Sequence, residues 1–184
     1  MTNRLFIALE TPGEILNDII AKRDSVYGTE NRVKWEPEEK LHITLKFLGD
    51  TDVNLNSAIC SCIKEIVKRH KPVELEFTKF GMFYRNANPS ILWLGLKKNV
   101  ALKELFLELD SEISSFGFAK ENREFKPHLT ILRIKGNEDI GKLNKIVAEP
   151  EVSLKFEARK IILFKSSLLK SGSVYEEIEN FILK

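Results

Sequence analysis

Cysteine is almost missing from this chain: Cys60 and Cys62 are the only two in 184 residues. A C-x-C pair with no further thiols supplies neither a zinc knuckle nor a disulfide framework, so a reducing cytoplasm is the expected setting. Long apolar runs are missing too. The longest near the N-terminus, Leu5 to Leu9, is followed by Glu10 and Pro12 and is too short for a signal-peptide core or a membrane span. Nor is there an excess of one charge: 29 Lys and Arg stand against 27 Asp and Glu, a net +2. That balance argues against gripping duplex DNA or long nucleic acid by phosphate neutralisation, but leaves open a small anionic group or an RNA end.

With 43% hydrophobic residues the chain can bury a substantial core as an ordinary soluble globular protein. Histidine is scarce, and the scarcity is informative. Two of the three histidines stand in the same phrase, His42-Ile43-Thr44-Leu45 and His128-Leu129-Thr130-Ile131. Threonine fills only 7 of 184 positions. Two of three histidines followed by Thr at the second place is therefore a chance event of roughly 0.005, before the shared apolar residues are counted. On a strand, His and Thr of such a phrase project from one face while the apolar residues are buried on the other.

The apolar pattern gives an order of elements. Leu5 to Leu9 reads as a buried strand. Thr11-Pro12-Gly13-Glu14 reads as a helix start with Thr11 at the cap, and that helix runs to about Asp24. Strands are expected at 32–35 and 41–48, the second with Leu41, Ile43, Leu45 and Phe47 inward and closed by Gly49-Asp50. A second helix precedes His70, which ends it in the basic run Lys68 to Lys71 and is read as solvated. Strands follow at 73–77 and 91–96, with a turn at 86–89, then a helix from Asn99 and the strand beginning at His128. A short helix at about 138–147 and strands at 152–156, 160–164 and 174–181 complete the chain. Pro12 lies 30 residues before His42 and Asn99 lies 29 before His128, which suggests a duplication. The expected fold is α+β and bilobal: residues 1–184 form one unit of two pseudo-symmetric lobes. Two mainly antiparallel sheets with flanking helices would enclose a central cleft lined by a histidine strand from each lobe.

Two imidazoles that titrate near neutrality suit in-line phosphate chemistry, one activating a water or hydroxyl and the other protonating the departing oxygen. The sequence alone treats His42 and His128 as equivalent. Thr44 and Thr130, about 7 Å along the strand from their histidines, can donate to non-bridging phosphate oxygens. Lys46 shares the expected face of His42 and Thr44 and is a phosphate-binding candidate. Arg133, five residues past His128, has the wrong parity and reaches phosphate only if the strand twists or bulges. Among aromatics near the motifs, Trp35, Phe47 and Phe125, the last is the base-stacking candidate because it precedes the strand in a charged loop. Neither motif carries a neighbouring carboxylate or thiolate, so no metal and no cofactor are expected.

These residues carry a resemblance to a known family. The chain resembles the two-histidine phosphoesterases, and within them the RNA 2′,3′-cyclic phosphodiesterases historically called 2′-5′ RNA ligases. The likeness lies in Arg4 to Leu9, Val33-Lys34-Trp35, Leu41 to Gly49, Leu92-Trp93-Leu94-Gly95 and Phe125 to Thr130. It implies hydrolysis of a terminal 2′,3′-cyclic phosphate to a 2′-phosphate, with His42 as proton donor and His128 as proton acceptor. Members often continue the second motif with a small residue and Arg; here Leu132 replaces the small residue and Arg133 is retained. RNA ends or cyclic nucleotides are the expected substrates of a cytoplasmic monomer, with no membrane partner. Two other readings stay open: the reverse reaction forming a 2′-5′ linkage, and a non-catalytic RNA or nucleotide binder.

Overall fold

The computed structural model describes residues 1–29, 33–150, 152–170 and 172–184. Strand β1, Thr2–Glu10, carries five consecutive buried residues, as a strand covered on both faces does. Helix α1, Gly13–Tyr27, does not start on a Thr11 cap. Thr11 Oγ1 is buried without a hydrogen-bond partner among the described residues, and Pro12, whose fixed φ suits a helix start, takes the cap position. The helix continues past Asp24 to Tyr27 and stops at Gly28, where φ is +91°.

The expected strand at 32–35 does not form: Val33–Trp35 are irregular, and residue 32 lies outside the described residues. A 3₁₀ turn, Glu38–Lys40, leads into β2, His42–Asp52. This strand runs through Gly49-Asp50 instead of ending there. Helix α2, Asn56–Val67, is followed by β3, Val73–Arg85, and β4, Asn88–Leu96. These two meet at the two-residue turn Asn86-Ala87, both with positive φ, the geometry that matches strand twist in a tight hairpin. Helix α3, Val100–Ser114, is capped by the Asn99 side chain accepting from Leu102 N–H. Strand β5, His128–Arg133, helix α4, Ile140–Ala148, and strands β6, Leu154–Ala158, β7, Lys160–Leu169, and β8, Gly172–Ile182, complete the chain.

Among the described residues the fold is α+β, with four α-helices and eight strands. The two expected sheets are one, ordered β6-β3-β4-β5-β2-β1-β7-β8 and antiparallel throughout. The two histidine strands β2 and β5 adjoin at its middle through the pair Ile43 and Leu129. Outward from this seam each histidine strand is followed by the strand that precedes it in the chain, β1 or β4. Beyond these lies a strand from the other half: β7 against β1, and β3 against β4. Neither half therefore builds its side of the sheet alone. Register shifts interrupt the β1–β2, β3–β4, β4–β5 and β7–β8 ladders, and such bulges bend the strands of this strongly curled sheet. The helices pack in two pairs, α1 with α4 and α2 with α3. Beneath the seam Ile43, Leu94, Leu105, Leu109 and Leu129 are fully buried.

Candidate active site

With Ile43 opposite Leu129 in an antiparallel pair, His42 is level with Thr130, and Thr44 with His128. All four side chains are half-buried, while Ile43 and Leu129 between them are fully buried. The two His-Thr pairs thus share one face of the sheet across the seam, the side away from the core.

Both strands then bulge at the same place. The β1 ladder passes from Thr44 to Lys46, leaving Leu45 as the extra residue, and the β4 ladder passes from Thr130 to Leu132, leaving Ile131. A bulge reverses side-chain parity beyond it. Leu45 and Lys46 are accordingly both buried, as are Ile131 and Leu132, and the following residues, Phe47 and Arg133, emerge on the histidine face.

The expected place of Lys46 beside His42 is thereby overturned. Its side chain turns into the core, where Nζ donates to Asp110 Oδ1 of α3 at 2.5 Å and to the Ala119 carbonyl at 2.9 Å. Phe47, expected in the core, is instead 71% exposed. Arg133 comes to the site by the very bulge its parity required, and its charge is felt at His42. Its Nε lies 3.1 Å from Glu36 Oε1. Phe125 is not free to meet a base on both faces: its ring stacks flat on buried Phe106, 4.0 Å between centroids at 5°. His70 is not solvated either, since Nε2 lies 2.6 Å from Glu108 Oε2 of α3.

The two imidazoles have different surroundings. His42 is packed among Phe6, Phe164 and Tyr175, with centroids at 5.1, 5.4 and 5.5 Å, and its Nδ1 is buried without a partner among the described residues. Burial first, then the Arg133 charge, lower its pKa from 6.5 to about 4. His128 instead has Nδ1 2.8 Å from the Lys126 carbonyl. A carbonyl only accepts, so Nδ1 carries a proton, and in the neutral ring the lone pair is on Nε2. Phe83 meets the His128 ring edge-on at 5.1 Å, and Trp93 lies 6.4 Å from it.

The aromatic wall around each histidine was not legible in sequence. Phe6 reads as core in an unbroken apolar run, and Phe164, Tyr175 and Phe83 sit far from either motif in the chain. Among the described residues no cluster of three or more His, Cys, Asp or Glu side chains converges. No helix among them is long and apolar enough to cross a membrane.

Residues 12–168 match the family profile of the 2′-5′ RNA ligase superfamily. The RNA 2′,3′-cyclic phosphodiesterase of Methanocaldococcus jannaschii is 35% identical over 180 residues, covering 97% of this chain and 99% of that protein. The protein of that name from Thermotoga maritima is 30% identical, covering 94% and 91%. A crystal structure of E. coli LigT complexed with 3′-AMP has the same fold, with a TM-score of 0.80 at 24% identity over 100% of this chain and 99% of that one. With most of its length matched by the family profile and by these relatives, this chain belongs to the 2′-5′ RNA ligase superfamily.

Proposed function

We propose that this protein is an RNA 2′,3′-cyclic phosphodiesterase that hydrolyses a terminal cyclic phosphate to a 2′-phosphate without a metal. The observation that carries this reading is the placement of two His-Thr pairs side by side on one face of adjacent antiparallel strands. In it, His128 Nε2 takes a proton from water and the water oxygen attacks phosphorus. The P–O3′ bond breaks, and His42 delivers a proton to the departing O3′. The Thr44 and Thr130 hydroxyls and the Arg133 guanidinium bind the non-bridging oxygens. The Lys126 carbonyl gives His128 the tautomer a base needs. His42 must be protonated to act as acid, and its burial opposes this. The bound phosphate anion supplies the opposite charge that restores the proton.

The same reading takes the two halves that meet at the β2–β5 seam as pseudo-symmetric lobes of one domain. It has the protein act as a monomer in the cytoplasm, on RNA ends and not on duplex DNA. Phosphodiester hydrolysis by the purified protein against the four 2′,3′-cyclic nucleotides and a cyclic-phosphate oligonucleotide tests it. A 2′-phosphate product, insensitivity to EDTA, and loss of at least about 10²-fold in rate in His42→Ala and in His128→Ala are expected. Near-wild-type turnover in either variant, with its fold intact by circular dichroism, would refute the acid-base pair.

A further inference from the structure

Arg133 is long and 54% exposed, and a free guanidinium loses rotamer freedom when a ligand fixes it. The segment crossing β5 at its bulge bears on this side chain. Glu36 N–H donates to the carbonyl of the bulged residue Ile131 at 3.0 Å, and Glu36 Oε1 lies 3.1 Å from Arg133 Nε. One residue thus grips both the backbone kink that turns Arg133 toward the site and the guanidinium itself.

Glu36 is itself held. Before it, Trp35 stands edge-on against buried Tyr27, with the Arg23 guanidinium over its ring. After it, Pro37 fixes the backbone into the 3₁₀ turn Glu38–Lys40. The Glu36 side chain is only 16% exposed, so its carboxylate has little room to move. Pairing at Nε leaves both Nη groups, with their four N–H donors, for a phosphate.

We propose that Glu36 is a positioning residue that holds Arg133 for the substrate phosphate. The proposal rests on the reading of Arg133 as a phosphate ligand. A carboxylate there also competes with phosphate for the same cation, so the sign of its effect on binding is the discriminating quantity. If positioning governs, removing the charge weakens ground-state and transition-state binding alike, which raises KM and spares kcat.

The test is steady-state kinetics on 2′,3′-cyclic AMP for wild type, Glu36→Gln, Arg133→Ala and the double variant. Glu36→Gln is isosteric and keeps the backbone bond to Ile131, so the segment stays in place. It is expected to raise KM about tenfold with kcat within about twofold, and to add nothing in the Arg133→Ala background. An unchanged or lower KM in Glu36→Gln, or an equal loss in the Arg133→Ala background, overturns the proposal. If Arg133→Ala itself leaves KM unchanged, the phosphate role of Arg133 fails and takes the proposal with it. If Arg133→Ala raises KM while Glu36→Gln is silent, only the positioning role fails.

Discussion

Phe47 and Arg133 occupy the same position in two strands of the same burial pattern, each five residues past its histidine and each turned outward by the bulge before it. Because β2 and β5 are antiparallel, the two point to opposite ends of the site. Arg133 runs past Thr130 toward the His42 end, and Phe47 runs past Thr44 toward the His128 end. The likeness of the two phrases is broken here, with a cation at one end and an open aromatic face at the other. The cation also helps hold His42 neutral, so the two imidazoles cease to be equivalent.

A phenyl ring 71% exposed on the site face, with Phe6 at 6.0 Å its one aromatic contact among the described residues, suits stacking on a nucleobase. Base stacking is worth about 1–3 kcal/mol by alanine substitution, so Phe47→Ala is expected to raise KM for 2′,3′-cyclic AMP about tenfold, and Phe47→Trp to preserve it. Ribose 2′,3′-cyclic phosphate, which has no base, should be turned over equally by wild type and Phe47→Ala. Equal losses on both substrates would rule out stacking.

The His42 pKa makes a prediction about stability. The native state binds this proton more weakly than the unfolded chain does, from about 4 against 6.5. The contribution is therefore complete above pH 6.5 and is lost as pH falls toward 4, because the unfolded state protonates first. Urea unfolding between pH 7 and pH 4 should show a loss of up to roughly 3 kcal/mol that is absent from His42→Gln. The same proton reports on catalysis. Inorganic phosphate should move the His42 NMR titration midpoint upward, and an unmoved midpoint would transfer the proton-donor role to His128.

Sequence periodicity reached His42, Thr44, His128 and Thr130 because each pair lies on the unbroken part of its strand, where alternation alone decides the face. It failed one residue later. The bulge at Leu45 depends on how β2 pairs with Ile7 and Ala8 of β1, a contact that no local pattern encodes, and it exchanged the expected places of Lys46 and Phe47. Arg133 was legible only as a condition, a bulge, and the carbonyl freed at Ile131 is met by Glu36, which follows the expected strand at 32–35, where Val33–Trp35 are irregular. The union of two expected sheets hangs on the Ile43–Leu129 pair, between strands 86 residues apart in sequence.

Lys46 has a different consequence from the one its strand position suggests. Its ion pair with Asp110 is buried, and Asp110 also accepts from Glu121 N–H at 3.1 Å, tying α3 and the loop before β5 to the underside of the bulge. Removing one member of a buried pair strands the other charge and costs about 3–5 kcal/mol. Lys46→Met should lose about that much by urea unfolding, and adding Asp110→Asn should restore part of it because no charge is left unpaired. A Lys46→Met loss under about 1 kcal/mol would mean that water reaches the pair.

Trp93 is placed by what its neighbours lack. A Cβ on Gly81 would fall 2.3 Å from Trp93 Cζ2, and one on Gly95 would fall 2.7 Å from Cζ3, so the indole lies across both glycines. Its Nε1 is buried without a partner among the described residues, which leaves packing alone to fix the ring. Trp93 packs on Phe83 at 5.3 Å, and Phe83 meets His128 edge-on. A methyl group at Gly81 fits only if the indole moves, and Phe83, which packs on that indole, is the ring that meets His128. Because a displacement of about 1 Å in a catalytic group can cost 10²-fold, Gly81→Ala should lower kcat on 2′,3′-cyclic AMP by about 10- to 100-fold. Combining it with Trp93→Leu, which removes the clashing ring, should recover part of that loss. Wild-type kcat and Tm in Gly81→Ala would show that the ring moves freely and does not hold His128.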